Sequence, residues 1–440
     1  MRFSHLPYVR LFSGHFQRLR RHTSLVLCLL FFGVPWLQYQ DNPAILITLS
    51  KQQFAFFNLT FWPQDLPLLA LFFIAAAFAL FFITAFLGRI WCGFLCPQTV
   101  WSFAFLWIEE KLEGKANKRK KQDSRPLTRQ LRQKKVLKHL IWLLISLVTA
   151  FTFIGYFLPI QTTILNFLTF KLTGWQTFWV SFMTLATYFN AGWMRSLICL
   201  HICPYARFQS VMFDKNTLTV SYDTTRGESR APRKRSAIAT DSFGDCIDCN
   251  LCVDVCPTGI DIRDGLQYQC IDCGACVDAC NHTMSRMNLP KNLIGYQSEV
   301  QNTQPIWQRP KLMGYGVIFL MISGLFSLYA FQRSPVQFDV LRDRQALFQR
   351  LDNGDIRNTY QIKITNKTQI TQTYSLSVND PFKWQGKNTV TLKGGEERTL
   401  PIALHKLENI DDPHVMPINI KIVCEDKTWS QEKPQRFLTR

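Results

Sequence analysis

The chain has 440 residues, and 50 lysines and arginines against 31 aspartates and glutamates leave a formal charge of +19. That charge is not a nucleic-acid footprint: the cations sit beside long Phe-, Leu- and Trp-rich runs, as orienting charges do in membrane proteins. Nor are the 14 cysteines a secreted disulfide scaffold, since eight fall within Cys246–Cys280 at metal-ligand spacing, which indicates redox chemistry in a reducing compartment.

A spanning helix needs about 20 apolar residues. Residues 1–22 form a basic start (Arg2, Arg10, Arg18, Arg20, Arg21), and the run Thr23–Tyr39 that follows is read as an uncleaved signal anchor. Further spans are predicted at Leu66–Leu87, His139–Leu158, Phe178–Leu197 and Leu312–Phe331, five in all. The loops between them alternate in charge. Gln40–Asp65 holds only Lys51 and Pro159–Gly174 only Lys171, whereas Lys111–Lys138 and the segment with Arg230, Arg233, Lys234 and Arg235 are densely basic. By the positive-inside rule the N-terminus and Cys246–Cys280 are cytoplasmic, and the C-terminal domain is periplasmic. A rival span, Ile90–Ile108, would put the Lys111–Lys138 cluster outside, so it is read as a helix lying in the cytoplasmic interface. Residues 23–215 then form a membrane domain with four spans.

Two cysteine pairs follow apolar segments: Cys92-Gly-Phe-Leu-Cys96-Pro97 after Arg89, and Cys199-Leu-His201-Ile-Cys203-Pro204 after Arg195. On a helix, residues four apart share a face, so each pair would present two thiols together. The proline makes the second cysteine a boundary where a new helix starts. Thiolates favour Cu(I), zinc and iron–sulfur clusters, and a dithiol can also close as a disulfide. A copper site, a redox dithiol and a third cluster shared by all four thiols remain open on these residues, with His201 a further candidate ligand. Cys28 and Cys424 are read as small buried hydrophobes.

Residues 216–310 contain Cys246-x2-Cys249-x2-Cys252-x3-Cys256-Pro257 and, further on, Cys270-x2-Cys273-x2-Cys276-x3-Cys280. Two-residue gaps wrap three thiols around one face of a cubane, and in bacterial two-cluster ferredoxins the last cysteine of each run serves the other cluster. One [4Fe–4S] cluster is expected on Cys246, Cys249, Cys252 and Cys280, the other on Cys270, Cys273, Cys276 and Cys256. Zinc needs only four ligands and has no use for a third cysteine in each run. Asn281 replaces the usual second proline, which is not a ligand.

Residues 311–335 hold the fifth span. From 336 to 440 short alternating strands such as Tyr360–Thr365, Tyr374–Val378, Thr389–Leu392, Thr399–Leu404 and Ile418–Val423 are punctuated by turn residues (Asn353-Gly354, Gly394-Gly395), which predicts an immunoglobulin-like β-sandwich. The fold class is thus a multi-pass α-helical membrane protein with an inserted two-cluster ferredoxin module and a C-terminal all-β sandwich.

The R-x-W-C-G-x-x-C-P-Q-T stretch from Arg89, the C-x-H-x-C-P-Y-A-R-F-Q-S stretch from Cys199, the doubled motif ending Cys280-Asn281-His282 and the terminal sandwich together resemble the CcoG/FixG proteins. These are accessory factors for assembly of cbb-type cytochrome c oxidase in the bacterial inner membrane. The resemblance implies reduction of Cu(II) to Cu(I) for copper delivery, with Cys92, Cys96, Cys199 and Cys203 as the reactive and metal-binding residues. It implies the oxidase assembly machinery or copper transporters and chaperones as partners, and leaves the electron donor unnamed. The alternatives are a quinol-oxidising membrane ferredoxin feeding a periplasmic reductase, and a non-catalytic assembly scaffold.

Overall fold

A computed structural model describes residues 8–39, 42–50, 52–57, 59–233, 243–300, 304–343, 348–351, 354–368, 370–407, 413–425 and 429–439. Arg2, Lys51, Lys234, Arg235 and Asn353, used above, lie outside the described residues. The chain divides into two compact units, Met1–Trp36 with Ala70–Phe326, and Leu37–Leu69 with Ser327–Arg440.

The first unit is helical. In chain order its described α-helices are α1 (His15–Gly33), α2 (Leu66–Leu87), α3 (Pro97–Glu113), α4 (Ala116–Asp123), α5 (Arg129–Ile154), α6 (Ile160–Leu168), α7 (Gly174–Tyr188), α8 (Pro204–Met212), α9 (Thr224–Gly227), α10 (Leu251–Asp254), α11 (Ala275–Arg286) and α12 (Pro310–Phe331). Among the described residues α2, α5 and α12 are long and apolar enough to cross a membrane. The 22 uncharged residues of α2 reach about 33 Å at the helical rise. Helix α5 starts basic, with Thr128 Oγ1 accepting from the Leu131 amide at 3.3 Å, and turns apolar after His139.

The other two expected spans take different shapes. α1 begins inside the basic segment and ends at Gly33, where Pro35, which has no amide hydrogen, sits in a 3-10 turn. α7 is helical for 15 residues and continues as a π-turn, Phe189–Met194. The interfacial helix expected over Ile90–Ile108 is not continuous. A π-turn at Trp91–Leu95 closes on Cys96, and α3 starts afresh at Pro97, because a residue before proline is driven out of the α region.

The ferredoxin portion of this unit is closed by a two-stranded ribbon, Thr219–Tyr222 against Ile294–Gln297. The cluster-bearing loops lie between these strands in sequence. Val220, Met284, Leu293 and Ile294 pack with the cysteines in one core.

The second unit is the predicted β-sandwich with a loop added. One sheet orders strands Lys383–Gln385, Glu397–Leu407, Asp355–Asn366 and Val336–Arg342, and the other orders Thr389–Leu392, Gln372–Val378, Val415–Cys424 and Ser430–Leu438. All five strand segments read from alternation fall inside these strands. Inward positions at period two (Ile356, Tyr360, Ile362, Ile364, Tyr374, Leu376, Ile418, Ile420, Ile422) fill the core. Residues 37–69 contribute a three-stranded sheet, Ile45–Thr48, Gln53–Phe56 and Leu59–Phe61. Buried Asp65 there accepts from Arg333 and Lys367, each at 2.9 Å.

Candidate redox centres

Both cysteine runs of the ferredoxin portion turn by the same device. Asp248 and Asn250 in the first, and Asp272 and Gly274 in the second, take left-handed backbone conformations at the same offsets from the first cysteine. Short polar residues and glycine tolerate that region, and the reversal turns successive thiols to one side. Cys246, Cys249, Cys252 and Cys280 line one cavity. Cys256, Cys270, Cys273 and Cys276 line a second, with Cys252 at its edge. The last cysteine of each run thus faces the other run's triad, the arrangement that crossed ligation of two cubanes needs.

The two cavities differ in surroundings. Cys249 is exposed, whereas Cys273 is 7% exposed. Two guanidinium groups serve the loop of the second run: Arg20 Nη1 donates to the Cys273 carbonyl at 3.0 Å, and Arg89 Nη1 donates to the Cys270 carbonyl at 3.2 Å and to that of Tyr268. Asp272 accepts from the backbone amides of Arg89 (2.8 Å) and Val220 (3.1 Å). Burial pushes the Cys270, Cys273 and Cys276 thiols up from their ordinary range and takes Cys252 and Cys280 to about 12.

The two C-x3-C-P motifs also share one local structure. Each is a π-turn, Trp91–Leu95 and Ile198–Ile202, whose next residue is the second cysteine in an extended conformation. Cys96 N–H donates to Trp91 O at 2.9 Å, and Cys203 N–H donates to Ile198 O at 2.8 Å. Single π-turns inside helical segments are concentrated at functional sites. Here the following proline, not a four-residue helical spacing, sets the presentation of the thiols. Each second cysteine is the N-cap residue of a helix, α3 or α8.

Reciprocal bonds join the motifs. Arg89 Nη2 donates to Ala206 O at 2.9 Å, and Gln98 Nε2 donates to Asn190 O (2.9 Å) and Arg195 O (3.1 Å). Thr84 and Tyr205 share a hydrogen bond at 2.5 Å, and Cys92 Sγ donates to Gln209 Oε1 at 3.5 Å. Burial takes Cys92 to about 12 and Cys199 to about 11, and neighbouring thiols of both motifs push the same way against Arg89. The Arg195 turn is held from below: Glu109 pairs with Arg195 (2.9 Å), Arg119 (3.0 Å) and Lys138 (3.7 Å). Burial opposes ionisation of Glu109, but these cations outweigh it and hold the carboxyl below its usual range.

The four-thiol turns touch the second cluster loop directly. A Cβ on Gly93 would lie 2.8 Å from Ile271 O, 2.9 Å from Asp272 O and 3.0 Å from Cys273 Cα. Phe16 of α1 meets the same loop at Gly274, whose φ of +68° and closeness to that ring both require glycine. Among the described residues, no three His, Cys, Asp or Glu side chains converge tightly enough to hold a single metal ion. His201, between Cys199 and Cys203, is exposed. Cys424 is buried in the sandwich, and Cys28 is half-buried on α1.

Sequence reasoning singled out every cysteine of these sites but not Arg20, Gly93, Asp272 or Gln209. In the sequence Arg20 reads only as one of the cations of the basic N-terminal segment. Gly93 and Gln209 lie inside quoted motifs, where no residue type advertises contact with another loop.

Comparison with known proteins finds matches along most of the chain. Residues 194–299 match the family described as a 4Fe-4S dicluster domain, residues 69–112 a 4Fe-4S binding domain, and residues 326–440 the immunoglobulin-like fold at the C-terminus of FixG. Protein RdxB of Cereibacter sphaeroides is 34% identical over 382 residues, covering 83% of this chain and 80% of its own. Nitrogen fixation protein FixG of Rhizobium meliloti is 33% identical over 408 residues, covering 83% and 78%. Protein RdxA of C. sphaeroides is 34% identical over 390 residues, covering 84% and 82%. A crystal structure of a FixG-related protein from Vibrio parahaemolyticus aligns at 28% identity with 24% of this chain and 99% of that one, at a TM-score of 0.22.

Proposed function

Because the chain belongs to the FixG family of iron–sulfur electron-transfer proteins, we propose that it is an inner-membrane cupric reductase serving assembly of a cbb-type cytochrome c oxidase. The observation that carries this reading is the seating of Gly93, beside Cys92, on the loop that holds Cys273. A one-electron carrier whose second cluster loop touches a four-thiol site can pass its electron there without a diffusing intermediary.

A cluster on Cys246, Cys249, Cys252 and Cys280 would be the entry point, since exposed Cys249 gives a low-potential cytoplasmic donor protein access. A cluster on Cys256, Cys270, Cys273 and Cys276 would come next, with Arg20 and Arg89 favouring its reduced, more negative state. The four-thiol centre is the terminal redox site. One electron supplied by the cluster that Cys256, Cys270, Cys273 and Cys276 would hold converts one Cu(II) to Cu(I). Cu(I) is the state that soft thiolate ligands of copper chaperones and transporters accept. Charge alternation in the loops favours a cytoplasmic ferredoxin and a periplasmic sandwich, with the fifth of the five spans between them.

The test is anaerobic reduction of Cu(II), trapped with a Cu(I)-selective chelator, by dithionite-reduced, desalted protein. Wild type yields Cu(I), and Cys92→Ser and Cys199→Ser do not, although their ferredoxin spectrum is intact. Full activity in both variants would make the cysteine pairs structural and end this reading.

A further inference from the structure

We infer that Cys92, Cys96, Cys199 and Cys203 together hold one additional [4Fe–4S] cluster, and that the Gln209 amide donates a hydrogen bond to its Cys92 sulfur. The inference rests on the reading of these thiols as the terminal redox centre and states what that centre is.

Arg89, Gln98, Thr84 and Tyr205 tie the two motifs together, and the thiols of each pair feel the charge of the other pair, so thiols from separate parts of the chain are close neighbours. The matched 4Fe-4S families reach the pairs separately, one through residues 69–112 and the other through 194–299, and the fold unites them. The site also has what a thiolate-bound cluster needs around it: the Arg89 guanidinium and the N-terminal ends of α3 and α8.

Gln209 supplies the independent observation. It is fully buried, its Oε1 accepts from the Cys92 thiol, and its Nε2 has the Tyr205 hydroxyl nearby but makes no close hydrogen bond. A buried amide donor left unmade costs about 1–3 kcal/mol. Half a turn of the amide exchanges Oε1 and Nε2, and a Cys92 thiolate then receives the donor that the thiol form leaves idle. Assembly replaces four S–H bonds by four Fe–S bonds and releases four protons, with iron and sulfide supplied by the cell's cluster-assembly machinery. Held by these four residues, such a cluster would relay single electrons from the second ferredoxin site to Cu(II).

Full-length protein purified anaerobically in detergent should hold about twelve irons and as many acid-labile sulfides per chain, and Cys199→Ser about eight of each. Gln209→Leu should keep the wild-type iron content and lower the midpoint potential of one electron paramagnetic resonance signal, leaving the two ferredoxin signals unchanged. Losing a hydrogen bond to a cluster sulfur disfavours the reduced form, which gives the shift its direction. Wild type at about eight irons, equal to Cys199→Ser, would overturn the inference. So would a Gln209→Leu protein with every potential unmoved. If Cu(II) reduction still depended on Cys92 in such a protein, the cupric reductase reading would stand while the cluster fell.

Discussion

At Gly93 a missing side chain lets the first C-x3-C turn lie on the carbonyls of the second cluster loop. Gly93→Ala drives a Cβ into Ile271 O and Asp272 O, both backbone atoms that cannot rotate away. Overpacking of this kind costs about 1–3 kcal/mol. The expected result is unchanged iron content with slower Cu(II) reduction, measured as initial rate on reduced protein. Glu109 works beneath the second motif. Its carboxylate is shared by Arg195, Arg119 and Lys138, and Glu109→Gln leaves buried cations uncompensated at a cost of about 3–5 kcal/mol. The folded carboxyl titrates below its unfolded value of about 4.3, so its stabilisation is complete above that pH and fades as pH falls through the folded value. Thermal unfolding near pH 7 should therefore separate Glu109→Gln from wild type, and acidification should narrow the gap.

Among the elements, the paired π-turns and the paired left-handed loops show how far local sequence reaches. Cysteine spacing announced both ferredoxin runs because their ligands are local, and the prolines after Cys96 and Cys203 announced helix starts because proline's restriction acts on its neighbour. The strands of the sandwich were legible from period-two alternation. What escaped was any element defined by a distant partner. The strands Ile45–Thr48, Gln53–Phe56 and Leu59–Phe61 are too short and aromatic to stand out, and Asp65 finds Lys367 some three hundred residues away. The helical reading of the cysteine pairs failed on geometry too, since closing the turn on an extended cysteine calls for a wider π-type bond. Crossing of the cluster ligands is testable at this scale. Cys256→Ala should damage the cluster on Cys270, Cys273 and Cys276 and spare that on Cys246, Cys249, Cys252 and Cys280, read as loss of one of the two ferredoxin resonance signals.

For the whole molecule, the alternation of basic and neutral loops sets an orientation that reporter fusions can read. A fusion at Ser229 should report the cytoplasm and one at Gln431 the periplasm; both on one side would mean that α12, the one span expected between them, does not cross, and a reversed pair would mean an odd error among the earlier spans, with the short α1 and the π-interrupted α7 the first to re-examine. The most direct measurement of the account is spectroscopic. Anaerobic, pre-reduced protein is mixed with Cu(II), and recovery of the oxidised ferredoxin absorbance is followed together with Cu(I) formation. The account predicts matched kinetics in wild type, one electron per copper, and reduced ferredoxin stranded in Cys92→Ser and Cys199→Ser. Reoxidation of the ferredoxin clusters at the wild-type rate in both variants would contradict it, because electrons would then leave without passing through the four thiols.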